Sequence, residues 1–285
     1  MSDRAHFRDL VASENPLVLP GAHDALSARL IQRAGFKAYF VGGFPVAGVR
    51  HALPDIGLLG QGEFEAAYRD ILAASDLPVL LDADNGYGDV KNVVRVVQSY
   101  ERMGAQALFF EDQVSPKRCG HIAGKELVPV AEMEAKIRAA AGERLDPRTF
   151  LIARTDAREV HDLDEALRRG ERYLRAGADG LFIEAPLNVE EMARITRELP
   201  AAHLANMLEG GRTPLLSPGE LRALGFGMVI YGISLMMHAV KTMQAVLADI
   251  ASGEFRLRGQ GVGFEEYKAL VDFPRWSAIE DRYRR

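Results

Sequence analysis

The chain holds one cysteine, Cys119, in the run Lys117-Arg118-Cys119-Gly120-His121, between cationic or ionisable neighbours. Neighbouring Lys, Arg or His⁺ favours the thiolate, so this setting suits a thiol that exchanges protons or attacks. A lone cysteine also packs as a small hydrophobe, but this run is polar and flexible where a packed core is apolar. A second constellation lies upstream. Asp82-Ala83-Asp84 sets two carboxylates on one side of an extended backbone, and Glu111 ends the next apolar run. Hard carboxylate oxygens converging from adjacent strands suit Mg²⁺, or Mn²⁺, which keeps waters and bridges to substrate oxygens. Zinc is disfavoured: no His or Cys pair has ligand spacing, and His121 stands two residues from the sole thiol. The same carboxylates also read as an N-cap at Asp84 or Asp89 plus a salt bridge, and spacing alone leaves both readings open.

Something must position these groups. Short runs rich in Val, Ile, Leu and Phe alternate with amphipathic stretches, which predicts strands near 17–20, 38–41, 79–82, 107–111, 150–154, 180–184, 203–206 and 228–231. Helical patterns lie between them at 24–34, 62–74, 90–103, 131–141, 164–176, 189–199, 218–224 and 235–250. Several end on a glycine stop, at Gly35, Gly104, Gly177 and Gly225. Eight such units match a (β/α)8 barrel, a TIM-type α/β fold; a doubly wound sheet more often uses fewer strands and a Gly-rich phosphate turn after the first. A barrel collects its active site at the C-terminal ends of its strands. Those ends carry Gly42-Gly43, Asp82 with Asp84, Glu111 with Asp112, Arg154 with Asp156, Glu184, Asn206 and Tyr231. So many carboxylates in one cavity require a metal, a cation or protonation.

The 285 residues suffice for one large core, predicting a catalytic barrel over 1–253 and a charged, aromatic helical extension over 254–285 that packs on the barrel or on a neighbouring subunit. Net charge −5, from 40 acidic against 35 basic side chains, offers no polycationic face, so nucleic acid is not an expected partner. The N-terminus has no apolar signal region, and no apolar run reaches the ~18 residues that span a bilayer. The expectation is a soluble, cytoplasmic protein without a membrane partner, and with one cysteine there is no intramolecular disulfide framework.

Seven ordered motifs resemble the isocitrate lyase and phosphoenolpyruvate mutase superfamily from about Leu17 to about Ile250. They are Gly-x-x-Asp-Ala-Leu-Ser-Ala at 21–28, Leu-Pro-Asp-x-Gly at 53–57, Asp-Ala-Asp-x-Gly-Tyr-Gly at 82–88, Glu-Asp-Gln-Val at 111–114, the cysteine run, Ala-Arg-Thr-Asp-Ala at 153–157, and Ala-Asn-Met-x-Glu-Gly-Gly at 205–211. The cysteine run is similar to the lyase branch, which includes 2-methylisocitrate lyase and the 2,3-dimethylmalate and petal-death type lyases. It is similar too to carboxyvinyl-carboxyphosphonate phosphorylmutase.

The resemblance implies Mg²⁺ near Asp82, Asp84 and Glu111, holding a 2-hydroxy or 2-oxo acid. It implies an eighth helix swapped onto a neighbouring subunit, and a homotetramer. The expected activity is a carbon–carbon lyase cleaving a 2-hydroxy di- or tricarboxylate of the 2-methylisocitrate or alkylmalate type to a 2-oxo acid such as pyruvate; the alternative is the phosphorus–carbon chemistry of the phosphorylmutase. Such a cleavage needs a base for the 2-hydroxyl, stabilisation of the departing enolate, and an acid to protonate it. Cys119 is the expected acid, tuned by Lys117, Arg118 and His121, while Arg154 clamps a carboxylate through its forked donors. Backbone N–H groups of Gly42, Gly43 and Gly120 can approach carboxylate oxygens because no Cβ blocks them. By resemblance Tyr39 lies near the hydroxyl, Asp55 near the metal, and Glu184 and Asn206 on the substrate side. His23, His51 and His238 receive no role. A non-catalytic metabolite-binding barrel would show damaged acid or metal residues, and here they are intact.

One departure concerns specificity. The lyases most often carry Ser-Gly-Gly after the tyrosine of the second strand; here the run is Tyr39-Phe40-Val41-Gly42-Gly43, followed by the bulky Phe44-Pro45. Val41 removes a hydroxyl contact, which predicts an apolar pocket wall suited to an alkyl-substituted malate in place of strict isocitrate or 2-methylisocitrate specificity. The polar run around Gly120 predicts a gating loop that excludes water.

Overall fold

Eight strands pair side by side in chain order and the last closes on the first, so the sheet is a closed parallel barrel. The structure, a computed structural model, describes residues 5–120 and 122–284. In chain order the elements are α1 (Phe7–Ser13), β1 (Leu17–Ala22), α2 (Ala25–Arg33), β2 (Tyr39–Val41), α3 (Gly43–His51), α4 (Gln61–Ala73), β3 (Val79–Asp82), α5 (Val90–Met103), β4 (Ala107–Glu111), α6 (Val130–Glu143), β5 (Phe150–Thr155), α7 (Ala157–Val160), α8 (Leu163–Arg175), β6 (Gly180–Ile183), α9 (Val189–Glu198), β7 (Ala202–Asn206), α10 (Pro218–Ala223), β8 (Met228–Tyr231), α11 (Ser234–Ser252), α12 (Phe264–Leu270) and α13 (Phe273–Tyr283).

The expected (β/α)8 architecture is present, and the predicted strands stand within two residues of the observed ones. Local chemistry explains several helix starts. At α2 the Asp24 carboxylate accepts from the Ser27 amide (2.7 Å) and the Ser27 hydroxyl accepts from the Asp24 amide (3.0 Å). This reciprocal capping box accounts for the Asp-x-x-Ser spacing of the first motif. Ser217 and Glu220 build the same device at α10, ahead of Pro218. Three helices escaped the sequence reading. In α3, Gly43, Pro45 and Gly48 read as a turn, yet a proline in the first helical turn forfeits only an amide that has no partner there.

Strand side chains alternate between two layers. One set (Tyr39, Val41, Val79, Leu81, Leu108, Phe110, Leu151 and Leu181) packs against the helices. The other (Leu19, Phe40, Leu80, Phe109, Ile152, Phe182, Met228 and Ile230) fills the barrel. Within the barrel, Phe40, Phe109, Phe182 and Ile230 come from β2, β4, β6 and β8, the alternate-strand layering of this architecture. Phe40 stacks on Phe109 (centroids 5.8 Å, 21° between planes) and Phe109 meets Phe182 edge to face at 5.5 Å. This layer is the floor on which the polar residues stand.

The chain divides into two compact units, Met1–Leu235 and Met236–Arg285, with the boundary inside α11. The first contains the whole barrel. The second carries many exposed apolar side chains, among them Met243, Leu247, Ile250, Phe264 and Trp276.

Candidate active site

The inward phase of each strand, continued past the floor, dictates what faces the C-terminal end of the barrel. From Phe40 it leads to Gly42, from Leu80 to Asp82, from Phe109 to Glu111, from Ile152 to Arg154, from Phe182 to Glu184, from Leu204 to Asn206 and from Ile230 to Gly232. These seven residues line one cavity of about 60 Å³, joined by Gly43 from the start of α3 and by Asp55, Lys117, Cys119 and Gly120 from the loops. An apolar wall of Phe44, Pro45, Leu208 and Ile233 completes it.

At its acidic side the Lys117 ammonium lies 2.6 Å from both Asp55 Oδ1 and Asp84 Oδ1, with all three side chains buried. Asp82 accepts from the amides of Gly43 (3.2 Å) and Asp84 (2.9 Å). Burial pushes Asp82 up to about 6, with the Asp84 charge adding to the shift and Lys117 opposing it. Asp55 and Glu111 are raised by the same burial, against the pull of Lys117 and Arg154. Burial disfavours the charged form of Lys117 as well, but Asp84 and Asp55 outweigh it and hold the amine firmly protonated. Asp55 and Asp84 thus share one ammonium beside the buried Asp82 and Glu111, and Glu111 Oε1 has no hydrogen-bond partner.

That donor set fits a hard divalent cation: the groups are oxygen-only, over-negative and partly unpartnered. Among the described residues no three acidic, His or Cys side chains converge closely enough to hold an ion directly. The fit is therefore to an ion held by one or two carboxylates and otherwise through water, the habit of Mg²⁺.

Arg154 governs the opposite side. Its Nε and Nη2 bind both oxygens of Asp156 at 3.1 Å, Nη1 lies 3.3 Å from Glu111 Oε2, and Nη2 lies 3.6 Å from Glu184 Oε2. The guanidinium rests on the aromatic floor, 5.1 Å from the Phe182 centroid. Glu184 in turn accepts from the Ala185 amide and from Asn206 Nδ2 (3.3 Å).

The loop after β4 lies against this group. The Cys119 amide donates to Asp55 O (3.0 Å), and Gln113 holds Arg118 from both sides, accepting from its amide (2.8 Å) and donating to its carbonyl (2.9 Å). Cys119 is half-buried. A Cβ on Gly120 would stand 2.3 Å from Arg154 Nη2 and 2.8 Å from Glu184 Cγ, so only glycine permits this approach.

Most of the expected site residues are thus brought together; three expectations need correction or restriction. Tyr39 occupies the outward phase of β2, packs against the helices, and does not line the cavity. Burial alone raises its hydroxyl above the tyrosine range, and no charged group contributes to that shift. Val41 shares that phase, packs in the same outer core and does not line the cavity. Gly43 donates its amide to Asp82, which commits that group to the acidic cluster. His121 lies outside the described residues.

Sequence reasoning missed Phe40, Gln113, Leu208, Ile230 and Ile233. For Phe40 the usable signal was the phase itself, because the residue two before the cavity glycine must point inward.

A family model described as phosphoenolpyruvate phosphomutase matches residues 7–251. The chain is 41% identical over 285 residues to 2,3-dimethylmalate lyase of Eubacterium barkeri, covering 99% of each. It is 36% identical to the chloroplastic carboxyvinyl-carboxyphosphonate phosphorylmutase of Arabidopsis thaliana, covering 98% of this chain and 84% of the relative. Among solved structures it resembles a 2,3-dimethylmalate lyase described as a PEP mutase/isocitrate lyase superfamily member, at TM-score 0.90 and 30% identity, over 96% of this chain and 93% of that one. A phosphonopyruvate hydrolase in complex with oxalate and Mg²⁺ matches at TM-score 0.88 and 29% identity, over the full length of both.

Proposed function

This chain belongs to the phosphoenolpyruvate phosphomutase family, and from that premise we propose that it is a divalent-cation-dependent carbon–carbon lyase acting on an alkyl-substituted 2-hydroxy dicarboxylate. The observation that carries the reading is one cavity whose lining holds the sole thiol, the carboxylate–ammonium cluster and the arginine clamp beside an apolar wall. Asp82, Asp84 and Glu111 would hold Mg²⁺, directly or through water, and the ion would supply Lewis-acid polarisation of a substrate hydroxyl.

The protein's own groups do the rest. Arg154 lines the cavity and orients a substrate carboxylate, while Asp156 grips the guanidinium through Nε and Nη2. A buried carboxylate of the acidic cluster takes the hydroxyl proton. Lys117 stays an ammonium and stabilises negative charge on the substrate oxygens. Cleavage of the carbon–carbon bond releases a 2-oxo acid and leaves an enolate, which takes its proton from Cys119. Phe44, Pro45, Leu208 and Ile233 receive the alkyl substituent, and the loop carrying Cys119 excludes water.

We further propose a homotetramer in the cytoplasm, built by exchange of the last barrel helix. Its support is an apolar groove of about 540 Å³ lined by Val18, Leu30, Ile31, Phe36 and Tyr231, large enough to receive side chains from a second copy. No helix among the described residues is long and apolar enough to cross a membrane.

The test is 2-oxo acid release across 2,3-dimethylmalate, related alkylmalates, 2-methylisocitrate and isocitrate, with Mg²⁺ and with chelator. Mg²⁺-dependent release, greatest for an alkylmalate, supports the reading. Silence across the panel favours the phosphorylmutase chemistry of the Arabidopsis relative.

A further inference from the structure

Lys125 lies beyond the cavity, six residues after Cys119, with its side chain only 1% exposed. Burying an ammonium is costly unless it is paired. Its partners come from two separate parts of the site. On the loop side it donates to the Gly120 carbonyl. On the barrel side it meets the Glu159 carboxylate of α7 and lies 3.5 Å from Asp156 Oδ1. Asp156 is the residue that grips Arg154, and Glu159 is held in addition by Arg212 at 3.0 Å. The Gly120 peptide is itself pressed against Arg154 and Glu184, with no space for a Cβ. One ammonium therefore ties the peptide after the thiol to the carboxylate behind the clamp. The contact exists only while the loop lies against the barrel.

We propose that Lys125 is a positioning residue that latches the Cys119–Gly120 peptide over the cavity and registers it to the Arg154–Asp156 pair. The proposal rests on the reading of Cys119 as the proton donor, but its test requires no turnover, so the two fail separately.

Because the chain has a single cysteine, thiol alkylation reports on this loop alone. The full-length protein with Mg²⁺ and oxalate is treated with iodoacetamide well below its melting midpoint, where the unfolded fraction is negligible, across a range of pH. Lys125→Met raises the plateau rate about tenfold, the factor for one lost charge-assisted hydrogen bond, and leaves the pH midpoint in place. Gly120→Ala, which holds the loop off by bulk, accelerates labelling in the same way. Should Lys125→Met not fold, Glu159→Gln keeps the lysine and weakens its anchor, and labelling rises roughly threefold. A Lys125→Met rate within twofold of the native one overturns the proposal, as does an unaltered Glu159→Gln rate. A shifted midpoint with an unchanged plateau also overturns it, because Lys125 would then act on the charge of the thiol.

Discussion

Replacing Arg169 by Met tests how the outer layer supports the site. Asp112 is fully buried at the end of β4, in the phase opposite to Glu111. Its Oδ2 accepts from Thr155 Oγ1 (2.7 Å), Tyr173 Oη (2.8 Å) and Arg169 Nη1 (2.9 Å), and its Oδ1 from the Asp156 amide (3.1 Å). Arg169 carries the only formal positive charge among these four donors. Removing one partner of a buried pair strands the other, at a cost of about 3–5 kcal/mol, and a chain of this size loses roughly 2–4 °C per kcal/mol. Arg169→Met should therefore lower the melting midpoint by roughly 6–20 °C in a calorimetric scan. Asp112→Asn in the same background should recover part of the loss, with a coupling of at least ~1 kcal/mol in the double-mutant cycle. Burial already holds the Asp112 carboxyl above the ordinary aspartate range against the pull of its donors. A carboxyl with a raised folded pKa penalises the fold above that pKa, and the penalty fades as pH falls towards the unfolded value near ~3.9. Losing Arg169 deepens that effect, so the deficit should be larger at pH 8 than at pH 5. A loss below ~1 kcal/mol, or additive single mutants, would refute the assignment of this pair as a buried support.

Tyr39→Phe removes a buried hydroxyl that has no partner and lies off the cavity, so activity should stay within about twofold and stability should hold or rise by up to ~1 kcal/mol. Phe44→Ala should lower kcat/KM for an alkylmalate by about tenfold or more relative to the unsubstituted acid, read from competing substrates. His203 lies with Nε2 2.7 Å from Leu199 O, and burial lowers its pKa. Its contribution is constant above the unfolded value of ~6.5, and stability is lost as pH falls below it, because the unfolded chain takes the proton first. His203→Gln should flatten part of that acid limb in chemical denaturation, to which His6 and His23, lowered by burial in the same direction, also contribute.

The barrel was legible because strand and helix periods differ and because glycine stops and capping residues punctuate each unit. The site was legible where chemistry and strand ends coincide, as at Asp82, Glu111, Arg154 and Glu184. The position of Tyr39 outside the cavity lining was not legible, because resemblance names a residue without its phase and a strand of three residues offers too little alternation to reveal it. Lys117 and Asp55 were foreseen at the site, but their pairing could not be: Asp55 follows α3 and Lys117 follows β4, and only the closed barrel brings those loops together. Lys125 was passed over for the same reason, since Glu159 stands 34 residues away in the chain.

In the proposed reaction Cys119 gives its proton to an enolate made by divalent-assisted cleavage. Cys119→Ser, supplied with Mg²⁺ and the best substrate of the panel, tests it most directly when turnover and binding are measured side by side. Turnover should fall by roughly 10²–10⁴-fold while calorimetric substrate affinity stays within about threefold, because the serine keeps the loop and loses the acid. Turnover within about tenfold of the native enzyme would contradict it.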